Sequence, residues 1–338
     1  MDASAALQAV QFVGAAAAVP EPVLTNADLS QMVDTSDEWI RSRTGIRERH
    51  ILPPDASIVD LAADASRKAL ANAQLDPLDI DLIVLATSTG SDRFGTAPQL
   101  QGVLGASRAL AFDLTAACTG FVYAIATAAQ FLQAGTYRRA LVVAADVLSR
   151  TVDWSDRKTC VLFGDGAGAV VLETGSAQGL LGMALRADGT GSDLLTLSNP
   201  TASRPLANGI EAGQYSCDPI FMNGREVYKF AVRAVPEVIE KALFAANLDA
   251  ADVNGYFLHQ ANQRILDAIA SRLSFDPARM ASVVDRYGNT SGASVPIALA
   301  DWLESGKFGA GDTGLMAGFG AGLTWGAIAF RWGRLDAQ

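Results

Sequence analysis

The chain has 338 residues, half of them apolar, and a formal charge of −10 at pH 7. That length can bury a large core in one or two domains, and the negative charge, with no basic stretch interleaved with aromatics, excludes a nucleic-acid partner. Three widely spaced cysteines, Cys118, Cys160 and Cys217, with no Cys-x-x-Cys pair, imply neither a disulfide framework nor a structural zinc site.

Read in chain order, the start Met1-Asp-Ala-Ser lacks the basic opening of a signal peptide, and the alanines at 15–18 are too short to cross a bilayer. A soluble cytoplasmic protein is expected, with no membrane partner. Residues 68–85 read as a helix end, an Asp-containing loop and a buried strand. An apolar strand over 109–114 then turns through Thr-Ala-Ala into a helix over 119–132, closed by Gly135. Cys118 sits in that turn, at the electropositive helix end, where unpaired N–H groups favour a thiolate. Cys160 and Cys217 have no such setting and read as ordinary cysteines. Gly164-Asp-Gly-Ala-Gly168 is followed by an apolar strand, not a helix, so it reads as a tight turn and not as a phosphate loop. Residues 198–209 read as a long polar loop, of the kind that gates a ligand path. A helix is expected over 225–246, with Arg225, Lys229 and Arg233 on one face.

Residues 241–258 then repeat the pattern of 68–85, and a second strand, turn and helix ends in Gly306 as the first ends in Gly135. The chain therefore reads as two α/β halves, 1–177 and 178–338, packed about a pseudo-twofold axis. Registering the two glycines sets Cys118 opposite Asn289. His259 follows the repeated strand Tyr256-Phe-Leu258, at the carboxyl end of a sheet, where α/β proteins build their sites. His50, the other histidine, lies among charged residues. A nucleophilic thiol, an imidazole and a carboxamide together suggest a cysteine that carries an acyl group, with His259 and Asn289 polarising a carbonyl.

These residues resemble the β-ketoacyl-acyl carrier protein synthase III family of the thiolase superfamily. The likeness rests on Thr35-Ser-Asp-Glu-Trp-Ile40, Arg43-Thr-Gly-Ile-Arg-Glu-Arg-His50, Ala116-Ala-Cys-Thr-Gly-Phe121, Asp153-Trp-Ser-Asp-Arg157, Phe163-Gly-Asp-Gly-Ala-Gly168, His259-Gln-Ala-Asn262, Gly288-Asn-Thr-Ser291 and Phe319-Gly-Ala-Gly322. It implies a five-layered αβαβα fold, a homodimer, and Cys118, His259 and Asn289 as the catalytic residues. By the same resemblance the amides of Cys118 and Ala321 form an oxyanion hole. Trp39, Arg43, Thr44, Arg157 and Asn262 bind coenzyme A, with Trp39 and Arg157 sandwiching the adenine, and Lys229, Arg264 and Arg272 dock an acidic carrier. The expected partners are acyl-CoA and malonyl-acyl carrier protein, both substrates, with no resident cofactor or metal. A priming ketosynthase or acyltransferase of secondary metabolism, and a non-catalytic acyl-CoA binder, are the rival readings. The chain departs from the family pattern at Ala321, usually glycine, at Arg225, often asparagine, and over Ser88–Phe94, at the dimer interface that caps the acyl pocket.

Overall fold

The computed structural model describes residues 7–334. Two sheets form its framework. The first runs in the order Ala9–Ala18, Asp165–Gly175, Arg139–Val147, Leu82–Ala86, Leu110–Leu114, and the second in the order Leu180–Ala187, Thr324–Arg331, Thr313–Gly320, Gly255–Leu258. Both begin with two antiparallel pairings and continue with a parallel one. Where the first sheet adds Leu110–Leu114 in parallel, the second has only a parallel bridge from Tyr256 to Met280.

Apart from the edge strand Leu110–Leu114, the strands of the first sheet are buried on both faces, so their apolar residues run on almost without interruption. In Arg139–Val147, for example, Ala140, Val142 and Ala144 face one cluster, while Leu141, Val143, Ala145 and Val147 face another. The second of those clusters packs under the helices Ile58–Ala73 and Ala97–Leu104. The first lies between the two sheets and contains the alanine-rich helices Gly120–Gln133 and Ser294–Glu304. A third cluster joins the far face of the second sheet to Gly224–Ala246 and Gln263–Leu273. Helices, sheet, helices, sheet and helices therefore make five layers, as the resemblance implies.

Small residues set the layer spacing. A Cβ at Gly182 would lie 2.6 Å from the Ala242 carbonyl oxygen, and one at Gly168 would lie 2.7 Å from Pro296 Cβ. Gly164-Asp-Gly-Ala-Gly168 is thus not a tight turn: from Asp165 it is strand, and its glycines admit the helix Ser294–Glu304 at close range. The polar loop expected at 198–209 contains half of an exposed hairpin, Thr201–Pro205 paired with Glu211–Tyr215.

Candidate active site

Each central helix begins with one 3-10 turn, Ala117–Thr119 before Gly120 and Ser291–Ala293 before Ser294. Both turns open on a residue in left-handed conformation, Ala117 at φ 46° and Ser291 at φ 53°. Two non-glycine residues held in that region indicate backbone constrained by its surroundings. The turns touch, a Cβ at Gly292 falling 3.4 Å from the Ala117 carbonyl oxygen. This local match corrects the register read from the terminal glycines. The first helix has 14 residues and the second 11, so aligning their ends misplaces their starts by one turn, and Cys118 corresponds to Gly292 and not to Asn289.

Asn289 is brought in by other means. Its amide donates to the Leu162 carbonyl at 2.8 Å and its carbonyl accepts from the Gly164 amide at 3.1 Å. Its side-chain oxygen accepts from the Ser291 amide at 2.9 Å, which leaves the NH₂ free to donate elsewhere. His259 follows Gly255–Leu258 and meets the Ser294 hydroxyl through Nδ1 at 2.8 Å. Ser294 also contacts the Ser291 carbonyl at 2.8 Å and the Gln260 amide at 3.1 Å. The Phe319 ring stands edge-on to His259, centroids 4.9 Å apart.

Ser291 is where these contacts meet. Its amide holds Asn289, its carbonyl lies 2.8 Å from the Ser294 hydroxyl that also meets His259, and its side chain lies near Cys118 and Asp146. Cys118, His259 and Asn289, far apart in the chain, are all buried around it.

Burial dominates the electrostatics. It pushes the Cys118 thiol up to about 12, with nearby Asp146 acting in the same direction against the Ser291 hydrogen bond. Desolvation therefore opposes the thiolate that a helix N-terminus favours. Burial also holds His259 down to about 3, so its imidazole is neutral. Where Ser294 gives its single proton to Nδ1, Nε2 carries the hydrogen and can donate to a substrate oxygen.

The strand Thr313–Gly320 closes the other side of the sulfur. A Cβ at Gly320 would lie 2.9 Å from the Cys118 amide nitrogen, and one at Gly318 would lie 3.1 Å from the Cys118 carbonyl oxygen. Ala321 follows at once, and its φ is not positive, so alanine fits here without strain.

The residues expected to bind coenzyme A lie together at the helix Asp37–Thr44. Arg43 and Arg157 both stand over the Trp39 ring, at 4.9 and 5.5 Å from its centroid. A base between Trp39 and Arg157 needs roughly twice the ~3.5 Å contact distance, so the expected sandwich is closed here. Arg157 is held by the Asp34 carbonyl at 2.7 Å and the Asp34 carboxylate at 3.3 Å. Asn262 caps the helix Gln263–Leu273 through the Arg264 amide and donates to the Arg43 carbonyl at 3.1 Å. Thr44 differs from expectation: it is buried, and its hydroxyl is taken up by the Ile40 carbonyl at 2.6 Å and the Ile46 amide at 3.0 Å.

Lys229, Arg264 and Arg272 share a surface. Arg264 stacks over Tyr228 at 5.8 Å and Arg272 donates to the Val232 carbonyl at 3.2 Å, both on the helix that carries Lys229. Lys229 pairs with Glu226 at 2.8 Å. A cavity of about 930 Å³, lined by Thr87, Ser88, Thr89, Arg93, Asn199 and Tyr215 among others, reaches none of Cys118, His259 and Asn289. Across it Arg93 donates to Asn199 at 2.9 Å and stacks on Tyr215 at 5.5 Å, tying residues 88–94 to the hairpin. Among the described residues no group of His, Cys, Asp and Glu is placed to hold a metal, and no helix is long and apolar enough to cross a membrane.

Sequence reasoning missed Ser291, Ser294 and Asp146 as members of the site. Asp146 carried a readable signal, a lone carboxylate in the apolar strand Arg139–Val147; the serines carried none, since serine beside Asn289 and before a helix is ordinary cap chemistry.

Comparison with known proteins agrees with this geometry. The family model of 3-oxoacyl-(acyl-carrier-protein) synthase III matches residues 112–189, and that of its C-terminal part matches residues 243–332. A β-ketoacyl-(acyl-carrier-protein) synthase III of Gloeobacter violaceus is 56% identical over 97% of this chain and 100% of its own. The crystal structure of 3-oxoacyl-(acyl-carrier-protein) synthase III from Aquifex aeolicus superposes with a TM-score of 0.88 at 42% identity, covering 96% of this chain and 100% of that one. The priming β-ketosynthase of the R1128 polyketide pathway has a TM-score of 0.89 at 34% identity, covering 97% and 98%. With both halves matched and a relative this similar over its full length, the chain belongs to the β-ketoacyl-acyl carrier protein synthase III family, enzymes of the thiolase fold.

Proposed function

We propose that the protein moves the acyl group of an acyl-CoA onto Cys118 and condenses it with malonyl-acyl carrier protein, releasing carbon dioxide and a 3-ketoacyl-acyl carrier protein that initiates fatty acid synthesis. The observation that carries this reading is the convergence of Cys118, His259 and Asn289 on Ser291. In the first stage the sulfur attacks the thioester carbonyl, and the developing oxyanion meets the amides of Cys118 and Ala321. In the second, loss of carbon dioxide from malonyl leaves an enolate whose oxygen accepts hydrogen bonds from His259 and Asn289, and whose carbon attacks the Cys118 thioester. A neutral imidazole suits that role, since it donates without holding a standing charge. The chemistry calls for no resident cofactor; acyl-CoA enters as substrate.

Around this centre, Trp39, Arg43, Arg157 and Asn262 receive coenzyme A, with Arg157 swinging off Trp39 to admit the adenine, and Thr44 shapes the helix end that carries them. Lys229, Arg264 and Arg272 form a cationic face for the acidic carrier on a chain of formal charge −10. The hairpin beyond residue 198 gates the entrance beside residues 88–94. The enzyme acts in the cytoplasm as a homodimer, supported by the fully exposed Phe94 and by the edge strand Leu110–Leu114, whose outer side has no partner strand among the described residues. Its halves divide at 177/178, between the last strand of the first sheet and the first strand of the second, supported by their matching strand order.

Incubation with acetyl-CoA followed by intact mass is the test. The protein should gain one acetyl group that Cys118→Ser abolishes, and a protein that binds acetyl-CoA without forming the adduct would overturn the reading. The 34% identical polyketide relative favours a second reading, a priming ketosynthase of secondary metabolism. Single-turnover condensation with malonyl carriers of the two pathways separates them.

A further inference from the structure

The Cys118 and Ala321 amides, which the proposed mechanism aims at one oxygen, stand on turns from opposite halves of the chain. The Cys118 amide follows Ala117, held at φ 46°, and the Ala321 amide precedes Gly322, at φ 127°. Gly320 abuts the nucleophile, a Cβ there falling 2.9 Å from the Cys118 nitrogen and 3.0 Å from its Cβ. The Ala321 amide, next in the chain, has no acceptor among the described residues. Two donors on separate segments serve one oxyanion only when held in a common geometry, since a misplacement of about 1 Å can cost about 10² in rate. Two threonines meet between these segments. Thr119, fully buried and next to Cys118, donates from its hydroxyl to the Thr324 carbonyl at 3.0 Å. The oxygen of Thr119 is then left to accept, and the Thr324 hydroxyl lies 3.0 Å from it, 3.0 Å from the Ala321 carbonyl and 3.3 Å from the Ala116 carbonyl. Ala116 and Ala321 each supply the carbonyl of the peptide unit adjacent to the one that bears the amide, so holding these carbonyls sets where the amides point. On its far side the hairpin turn between the paired residues Gly320 and Thr324 is anchored through Leu323, which exchanges both backbone hydrogen bonds with Asp188 at 2.8 Å.

We propose that Thr119 and Thr324 are positioning residues for the oxyanion hole, a hydroxyl clip that locks the nucleophile turn to the Ala321 turn and sets both amides on one oxygen. This deepens the acyl-carrier reading and rests on it. Neither threonine exchanges a proton with substrate; both act through the backbone they hold. The oxygen concerned is that of the acyl carbonyl, which is attacked once by the Cys118 sulfur and again, as the Cys118 thioester, by the enolate carbon. The clip therefore serves acylation and condensation alike, in contrast to Asn289, whose side chain serves the enolate. Binding of acetyl-CoA is a separate matter, because its proposed contacts lie on the helix Asp37–Thr44 and not on these turns.

The experiment reads rate and carbonyl polarisation together. Acylation is followed by rapid quench and intact mass over a range of acetyl-CoA concentrations in the wild type, Thr119→Ala, Thr324→Val and the hydroxyl-keeping Thr119→Ser and Thr324→Ser. The acetyl-enzyme, made with acetyl-CoA isotope-labelled at the carbonyl carbon, is then examined by infrared difference spectroscopy, which reports the hydrogen bonds on the thioester oxygen. Thr119→Ala and Thr324→Val should each lower the saturated acylation rate by about 10- to 10²-fold, with the half-saturating acetyl-CoA concentration unchanged. Their thioester carbonyl band should move to higher frequency and broaden, because the two amides no longer hold one direction, and the serine variants should recover both rate and band. A wild-type rate and band in Thr119→Ala and Thr324→Val overturns the clip. So does a lowered rate with the band unmoved, the pattern of structural damage elsewhere, or a loss confined to the half-saturating concentration. Serine variants as impaired as the alanine and valine ones would remove the hydroxyls from the argument and overturn it equally. Should one variant not fold, the other carries the same decision alone. Absence of a wild-type adduct would instead bring down the acyl-carrier reading itself.

Discussion

In the proposed mechanism Asn289 and His259 serve the enolate of condensation and not the oxyanion of Cys118 acylation, so their parts can be separated. Replacing Asn289 by Ala removes one donor to the enolate, and loss of one such donor typically costs about 2.7–4 kcal/mol of barrier. Single-turnover condensation should therefore slow by about 10²–10³-fold, while acylation of Cys118, measured by intact mass, keeps most of its rate. Ser294→Ala tests the imidazole in the same assay: without a hydroxyl on Nδ1, the tautomer that donates from Nε2 loses its support, and condensation should slow more than acylation. His259 also links stability to pH. Its folded value is depressed from 6.5 to about 3, so its contribution is present above pH 6.5 and drains away as pH falls toward 3, because the unfolded chain binds a proton that the fold refuses. Urea unfolding between pH 7 and 4 should show a shallower decline in His259→Asn than in the wild type. That comparison isolates His259 from the buried Asp146 and Asp165, whose raised values act in the opposite direction. Sequence context picked out Cys118, His259 and Asn289 as candidates because motif and element end coincide at each. It missed Ser291 because the contacts of a hydroxyl depend on what the other half of the chain brings to it.

At the scale of elements, packing is close under the outer helix Gly224–Ala246. A methyl at Gly182 would press on the Ala242 carbonyl at 2.6 Å and the Ala246 amide at 2.6 Å, backbone atoms that cannot rotate away. Gly182→Ala should destabilise the protein by about 1–3 kcal/mol, read as a lower urea midpoint with unchanged m-value. The proposed docking cations lie on this helix (Lys229) and on its neighbour Gln263–Leu273 (Arg264 and Arg272). Reversing Lys229, Arg264 and Arg272 to Glu should raise the apparent KM for malonyl-acyl carrier protein at least tenfold at low salt, with acylation from acetyl-CoA unaffected and the difference shrinking as salt is added. If all carriers and salts respond alike, this face does not dock them. The strand and helix of each repeat were readable from periodicity. Their register was not: helices of 14 and 11 residues end in similar glycines, and only the paired left-handed residues Ala117 and Ser291 reveal which turns correspond.

For the whole molecule, the edge strand Leu110–Leu114 has no partner strand on its outer side among the described residues, and the Phe94 ring lies in solvent. Leu110, at the start of the edge strand, is 46% exposed and Phe94 is fully exposed, an arrangement that a second copy would relieve by continuing the sheet. Phe94→Asp combined with Leu110→Asp should shift the protein to monomer by light scattering, and acylation should weaken if the partner completes the acyl pocket. By itself the sequence determined the α/β alternation and the candidate thiol, imidazole and carboxamide, because hydrophobic period, turn chemistry and residue type are local properties; the five-layered plan came with the family resemblance that its motifs carry. Only the tertiary structure decided that burial opposes ionisation of the thiol, that Arg157 lies against Trp39, that Thr44 is used internally, and that the buried Asp146 lies near Cys118. Those outcomes depend on desolvation and on contacts between distant segments, and both arise only when the layers close.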